Sequence, residues 1–224
     1  MRYARDDPGH TRLATLDIET TSTDPDTGEL VAIGVGVHDR STPLSAATYR
    51  TIHRQGDDEV DLIRDVFAWL GDAGADALVT YNGAEFDLGF LEGRLERHGA
   101  AVDRPALAAP DTHVDLFLDR QRAAEQAGEP WPSLEECLDS YGFAPATTRW
   151  NGEPIDNTRF GDELGPAYLR TLGTATGHRL RDALGDAIDH YLTTDLEATL
   201  ALFYADIGEG CEPRHLGTAE GFEV

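Results

Sequence analysis

Four carboxylates in three short stretches have the types and spacing to do chemistry together. Asp17 and Glu19 stand in LDIET, Asp87 in YNGAEFDLGFL, and Asp195 in DAIDHYLTTDLEATLALF. On a strand, residues i and i+2 point to the same face, which puts Asp17 and Glu19 side by side, roughly 7 Å apart along the chain. Two anions on one face repel, and the chain contains no Lys to relieve them, since every basic residue is Arg. A hard divalent cation would turn that repulsion into ligation. Taken alone, the pair reads first as two solvated strand carboxylates.

Asp87 falls in the opening turns of a helix that follows a short buried strand, where α/β folds place ligands. Its simpler role is to favour the helix dipole. Asn82 suits the helix cap, and Phe86 suits the core. In the third stretch no Gly or Pro interrupts residues 186–206, so the spacing predicts one continuous helix. Ile188, Leu192, Leu196, Thr199 and Phe203 form its apolar stripe. Tyr191 and Asp195 are about 40° apart on one edge of that stripe, while His190 is about 140° from Asp195 and is expected on the solvent side. Tyr191 is therefore the expected partner of Asp195. His190 would replace it only if the helix began later.

The elements that must position these groups follow from periodicity. TRLATLDIETTS reads as a strand with one buried face, ELVAIGVGVHD and SAATYRTIHR as two more in an antiparallel meander. DDEVDLIRDVFAWLGD carries Val60, Ile63, Phe67 and Leu70 at helical spacing. ADALVTYN reads as a buried strand, AEFDLGFLEGRLERHG as a helix ending at Gly99, and THVDLFL as a further strand. SLEECLDSYG is a short helix opened by a capping box. APATTRWNGEPIDNTRFG reads as loop. Helix resumes near Asp162, is broken around GTATGH, and runs to about Ile207. We expect an N-terminal tail over residues 1–11, one domain over 12–207 and a loose C-terminal tail over 208–224. Strands first and helix–strand alternation afterwards imply an α/β fold with a mixed sheet.

Composition limits the functional classes. With 224 residues and 40% hydrophobic content, a packed core is expected rather than disorder. Asp and Glu number 42 against 18 basic residues, a formal net charge of -24. The acids are spread along the chain, so they form a solvated skin. Self-repulsion in such a skin is tolerable when salt shortens the Debye length to about 3 Å at 1 M, and we expect a salt-adapted, cytoplasmic protein. Cys137 and Cys211 form no CxxC and read as free thiols. No signal core and no apolar run of spanning length is present, so no membrane role is expected.

In order, LDIET, YNGAEFD and YLTTD resemble the three exonuclease motifs of the DEDD superfamily. The resemblance is closest to the 3′–5′ exonuclease domain of family B DNA polymerases and its stand-alone relatives, in the tyrosine subclass, and HVDLF with SLEECLDSYG resembles the intervening segment. It spans residues 12–206. It implies an RNase H-like mixed five-stranded sheet, an antiparallel meander followed by parallel strands, flanked by helices. It also implies two divalent cations, Mg²⁺ or Mn²⁺, with Asp17 bridging, Glu19 and Asp195 completing one site and Asp87 holding the other. Tyr191 would orient the attacking water. Thr20, Asn82 and Phe86 would contact the substrate, the 3′ end of single-stranded nucleic acid, DNA favoured over RNA. His190 also fits the histidine subclass, although Leu192 stands where that subclass carries a small residue. Asp115 and His113 read as structural. Arg149 beside Trp150 is the expected loop contact, unless Trp150 is simply buried. A monomer is expected. The rival readings are an inactive nucleic-acid-binding domain and an RNase H-type endonuclease.

Overall fold

The computed structural model describes residues 1–173 and 178–223. Its main sheet has the order β3-β2-β1-β4-β5. Strands β1 (Arg12–Thr20), β2 (Leu30–Asp39) and β3 (Thr48–His53) form the antiparallel meander. Strands β4 (Ala77–Thr80) and β5 (His113–Asp115) then add in parallel beside β1. The expected five-stranded mixed sheet is therefore present.

Strand β1 is central and buried on both faces, not on one as its alternation suggested. Ala14, Leu16 and Ile18 pack with helices α1 (Glu59–Asp72) and α2 (Leu88–Arg97). Leu13 packs on the other side with Ala198, Leu200 and Leu202 of the long C-terminal helix. Thr15 is also fully buried. Asp17 and Glu19 share the parity of Leu13 and so stand on the face that the long helix covers.

The segment HVDLFL is mostly not strand. After three residues of β5, Asp115 accepts from the Phe117 N–H at 2.9 Å and opens helix α3 (Leu116–Ala127). That N-cap bond wins because it satisfies an otherwise orphaned donor. Helix α4 (Leu134–Tyr141) begins with the expected capping box, Ser133 and Glu136 bonding each other's backbone reciprocally.

The stretch read as loop contains β6 (Thr147–Trp150), β7 (Glu153–Pro154) and the single turn α5 (Asn157–Arg159). A π-turn over 160–164 leads into α6 (Gly165–Thr171). The break expected around GTATGH falls partly on residues 174–177, outside the described residues. Helix α7 then runs unbroken from His178 to Asp206. From Leu184 onward it is largely buried, because besides the main sheet it packs on a second sheet of order β7-β6-β8 (β8, Ala219–Phe222).

The C-terminal segment is not loose. Glu197 accepts the backbone N–H groups of Arg214, His215 and Leu216 at 2.7, 2.6 and 3.0 Å, and β8 (Ala219–Phe222) pairs in parallel with β6. At the other end, the Arg5 N–H donates to the Asp206 carbonyl at 2.9 Å. Strands of two to four residues carry too few positions to show a period of two, which is why sequence pattern missed them. Cys137 and Cys211 are free thiols, as expected.

Candidate metal and nucleic-acid site

Asp17 and Glu19 end β1 at the rim of the main sheet. A bulge between Glu19 and Thr20 follows directly, where a bulge re-aims side chains. On β2, Gly34 is the register partner of Asp17. Its missing side chain lets α7 lie close to the sheet there, which brings Asp195 over the same point. A carboxylate oxygen from each of Asp17, Glu19 and Asp195 lies within 4.8 Å of the other two.

Asp87 approaches from the neighbouring strand. The π-turn over 83–87 folds back on β4 because Gly83 has no Cβ; one built there would stand 2.6 Å from the Thr80 side chain. Asp87 is 2% exposed, and its charge is felt by Glu19, as that of Asp17 is felt by Asp87. Asn82 sits at the N-cap position with φ of 68°, and its side chain makes no cap bond. Instead Asp115 fixes this turn, accepting the Asn82 and Ala84 N–H groups at 2.9 and 2.8 Å. Asp115 is thus structural, as is His113, which pairs with the Thr80 hydroxyl at 2.8 Å. Phe86 is half-buried: it packs on the core and also lines the cleft.

The electrostatics are those of anions held without counter-charge. Burial pushes Asp17 up to about 7, against a hydrogen bond from the Ile18 N–H. Burial, with the charge of their neighbours, raises Glu19, Asp87 and Asp195 well above the ordinary carboxylate range. Glu135 of α4, exposed at the rim, adds to the negative field on Asp17, Asp195 and Tyr191. The cleft encloses about 620 Å³ and contains Thr20, Asn82, Phe117, Ser133 and Asn157 besides the four carboxylates. No Arg, His or Cys is among its lining residues. An all-oxygen donor set without a cation partner fits Mg²⁺ or Mn²⁺ rather than a soft metal.

Tyr191 is not among the cleft's own lining residues but lines an adjoining pocket with Asp195, Glu135 and Asn157, whereas His190 lines neither. The Tyr191 ring stacks on Phe160, 5.7 Å between centroids at 17°, and its hydroxyl donates to Asn157 Oδ1 at 2.8 Å. Burial, then the charges of Asp195, Glu19 and Asp17, hold its pKa well above normal. His190 is not on the solvent side as expected. It is buried against the second sheet, with Nδ1 2.7 Å from Thr148 Oγ1 and Nε2 3.3 Å from Glu220. Phasing about α7 was right; the sheet that covers its far side was not foreseen.

Arg149 lies outside the cleft, its guanidinium on the Gly152 carbonyl at 3.2 Å. The cation over the Trp150 ring is Arg159, at 5.9 Å. Asn157, Phe160 and Glu135 were not foreseen from sequence. An amide and an aromatic in DNTRF and an acid inside a capping box carry no spacing signal of their own.

A family model described as the RNase_H superfamily matches residues 14–155, more than half of the chain. The match includes Asp17, Glu19 and Asp87 and stops before Tyr191 and Asp195. The structure of the family B DNA polymerase from the hyperthermophilic archaeon Pyrobaculum calidifontis is similar, with a TM-score of 0.55 at 17% identity. The similarity covers 90% of this chain and 25% of the polymerase, so the chain spans about a quarter of that protein's length. At that identity the likeness is one of fold. No curated protein matches the sequence. Among the described residues no helix is long and apolar enough to cross a membrane.

Proposed function

The chain belongs to the RNase H superfamily, and from that premise we propose that it is a metal-dependent 3′–5′ exonuclease acting on single-stranded nucleic acid, DNA in preference to RNA. One observation carries the reading: Asp17, Glu19 and Asp195, distant in sequence, bring carboxylate oxygens within 4.8 Å of one another at the base of an open cleft. Asp17 and Asp195 are half-buried and Glu19 is buried; carboxylates held so close together without a counter-charge cost stability, and ligation offsets that cost.

Asp17, Glu19 and Asp195 would hold one divalent cation, and Asp87 with Asp17 a second. Bound there, such cations neutralise the scissile phosphate and lower the pKa of an attacking water. Tyr191 keeps its proton, because its pKa is raised, and donates it to Asn157, so its hydroxyl oxygen would orient the water by accepting a hydrogen bond from it rather than abstract a proton. Phe160 and Asn157 hold that phenol in place. Thr20 and Asn82 offer polar groups, and Phe86 a ring face, to the terminal nucleotide. The acidic, Lys-free surface supports work in high salt.

The test uses oligonucleotides labelled at the 3′ or the 5′ end, incubated with Mn²⁺ in molar salt. This reading expects release of the 3′ label first and a descending ladder from the 5′ label. Internal cuts would make the protein an endonuclease, and no cleavage a binding domain. Matched DNA and RNA strands run side by side decide the sugar preference.

A further inference from the structure

A run of aromatic rings leads out of the cleft. Tyr81 and Phe117 both line it and lie 5.5 Å apart; Trp131 meets Phe117 edge-on at 5.8 Å and 81°. Trp131 is 56% exposed, one of two large hydrophobic side chains so exposed among the described residues. It is not on a loose loop. Pro130 and Pro132 flank it, and the Tyr81 hydroxyl donates to the Pro132 carbonyl at 2.6 Å. Tyr81 thus ties the Trp131 segment to the end of β4, next to the turn that carries Asp87. An exposed indole held this way gives up little freedom when something stacks on it.

The same cleft lacks any cationic side chain among its lining residues. Single-stranded nucleic acid is usually held by cations along the backbone and by aromatic rings under the bases. Among the described residues that line the cleft, only the second means is present.

We propose that Trp131, backed edge-on by the buried Phe117, forms a stacking platform for bases 5′ of the terminal nucleotide, and that this platform, not phosphate neutralisation, supplies the affinity for the strand. The assignment rests on the nuclease reading above, since the 3′ end must enter at the carboxylates. Stacking tolerates every base, so the platform favours length over sequence. It is also insensitive to counterion release, which suits an acidic protein in salt.

The experiment measures binding of a 5′-fluorescein-labelled thymidine decamer by anisotropy, with Ca²⁺, across a salt series, for the wild type, Trp131→Phe and Trp131→Ala. Thymidine 5′-monophosphate, too short to reach the platform, serves as unlabelled competitor. We expect Trp131→Phe to bind the decamer within about twofold of wild type and Trp131→Ala to bind about tenfold more weakly, a loss of about 1.4 kcal/mol, as for one stacked base. Competition by the mononucleotide should be unchanged. The slope of log affinity against log salt should be shallower than about -1, the value for little more than one phosphate contact on a single strand.

Equal affinity of the alanine and phenylalanine variants, or a slope steeper than about -2, would overturn the platform while wild-type exonuclease activity still stood. A wild type that neither binds nor shortens the decamer would overturn both. Melting curves of the two variants, expected to match wild type because Trp131 is exposed, separate lost stacking from lost folding.

Discussion

Gly34 of β2 and Leu196 of α7 meet at close quarters: a Cβ on Gly34 would stand 3.0 Å from Leu196 Cδ1 and 3.2 Å from Leu192 Cδ2, so these side chains would have to give by a few tenths of an ångström. Gly34 is paired with Asp17, and Leu196 adjoins Asp195. The distance between Asp17 and Asp195, two carboxylates of the proposed metal site, therefore depends on the absence of a side chain at position 34. Gly34→Ala should push α7 outward by a few tenths of an ångström. We expect a stability loss of about 1–3 kcal/mol, as for overpacking, and a fall in kcat of about tenfold or more, since small misplacements are costly in catalysis. Calorimetry and steady-state kinetics check the two effects separately.

Asp17→Asn should abolish most activity, about 10³-fold or more in kcat. In metal-free buffer near pH 8 the same variant should melt several degrees higher than wild type, because one half-buried, repelled charge is gone. Added Mn²⁺ should raise the wild-type Tm in a concentration-dependent way and move the variant much less. A variant that melts lower than wild type without metal would show that the carboxylates are not under strain from one another.

Tyr191→Phe and Asn157→Ala should each lower kcat about tenfold to a hundredfold with little change in KM, because they disturb orientation only. His190→Ala should leave kcat nearly intact and reduce stability by about 1–3 kcal/mol, since it strands the Thr148 hydroxyl inside. The opposite ranking in kcat would reassign the general role to His190.

Glu59 is a further buried anion, and it is fully partnered. Its Oε1 accepts from the Leu30 N–H at 2.8 Å and Arg54 at 3.2 Å; its Oε2 accepts from Arg94 at 2.6 Å and pairs with His98 at 2.7 Å. Burial pushes its pKa up, but the bonds from Arg94, His98 and Leu30 and the charge of Arg54 bring it below the ordinary carboxylate value. A depressed folded pKa means the charge stabilises above the unfolded pKa, about 4.3, and that this is lost as pH falls through the folded value. Glu59→Gln should cost about 3–5 kcal/mol near neutrality. Its deficit against wild type should hold from about pH 8 to pH 5 and narrow below about pH 4. Urea unfolding across that range measures it.

Much of this arrangement was legible in the amino-acid sequence, and the rest was not, for a physical reason. Strands β1 to β3, helices α1 and α4 and the unbroken α7 rest on local rules, such as period, caps and breakers, that act within a few residues. The same rules set Tyr191 and Asp195 on one edge of α7, because helical phase is a property of the segment itself. Burial is not such a property. Whether His190 faces water depended on β6 and β8, residues 42 and 30 positions away, and each too short to declare itself. That Asp17, Glu19, Asp87 and Asp195 share one cleft, that Asn157 holds the Tyr191 hydroxyl, and that Trp131 stands at the exit all depended on packing between elements. Only the folded chain could decide those, through close approaches such as Gly34 to Leu196 that leave no periodic trace in the sequence.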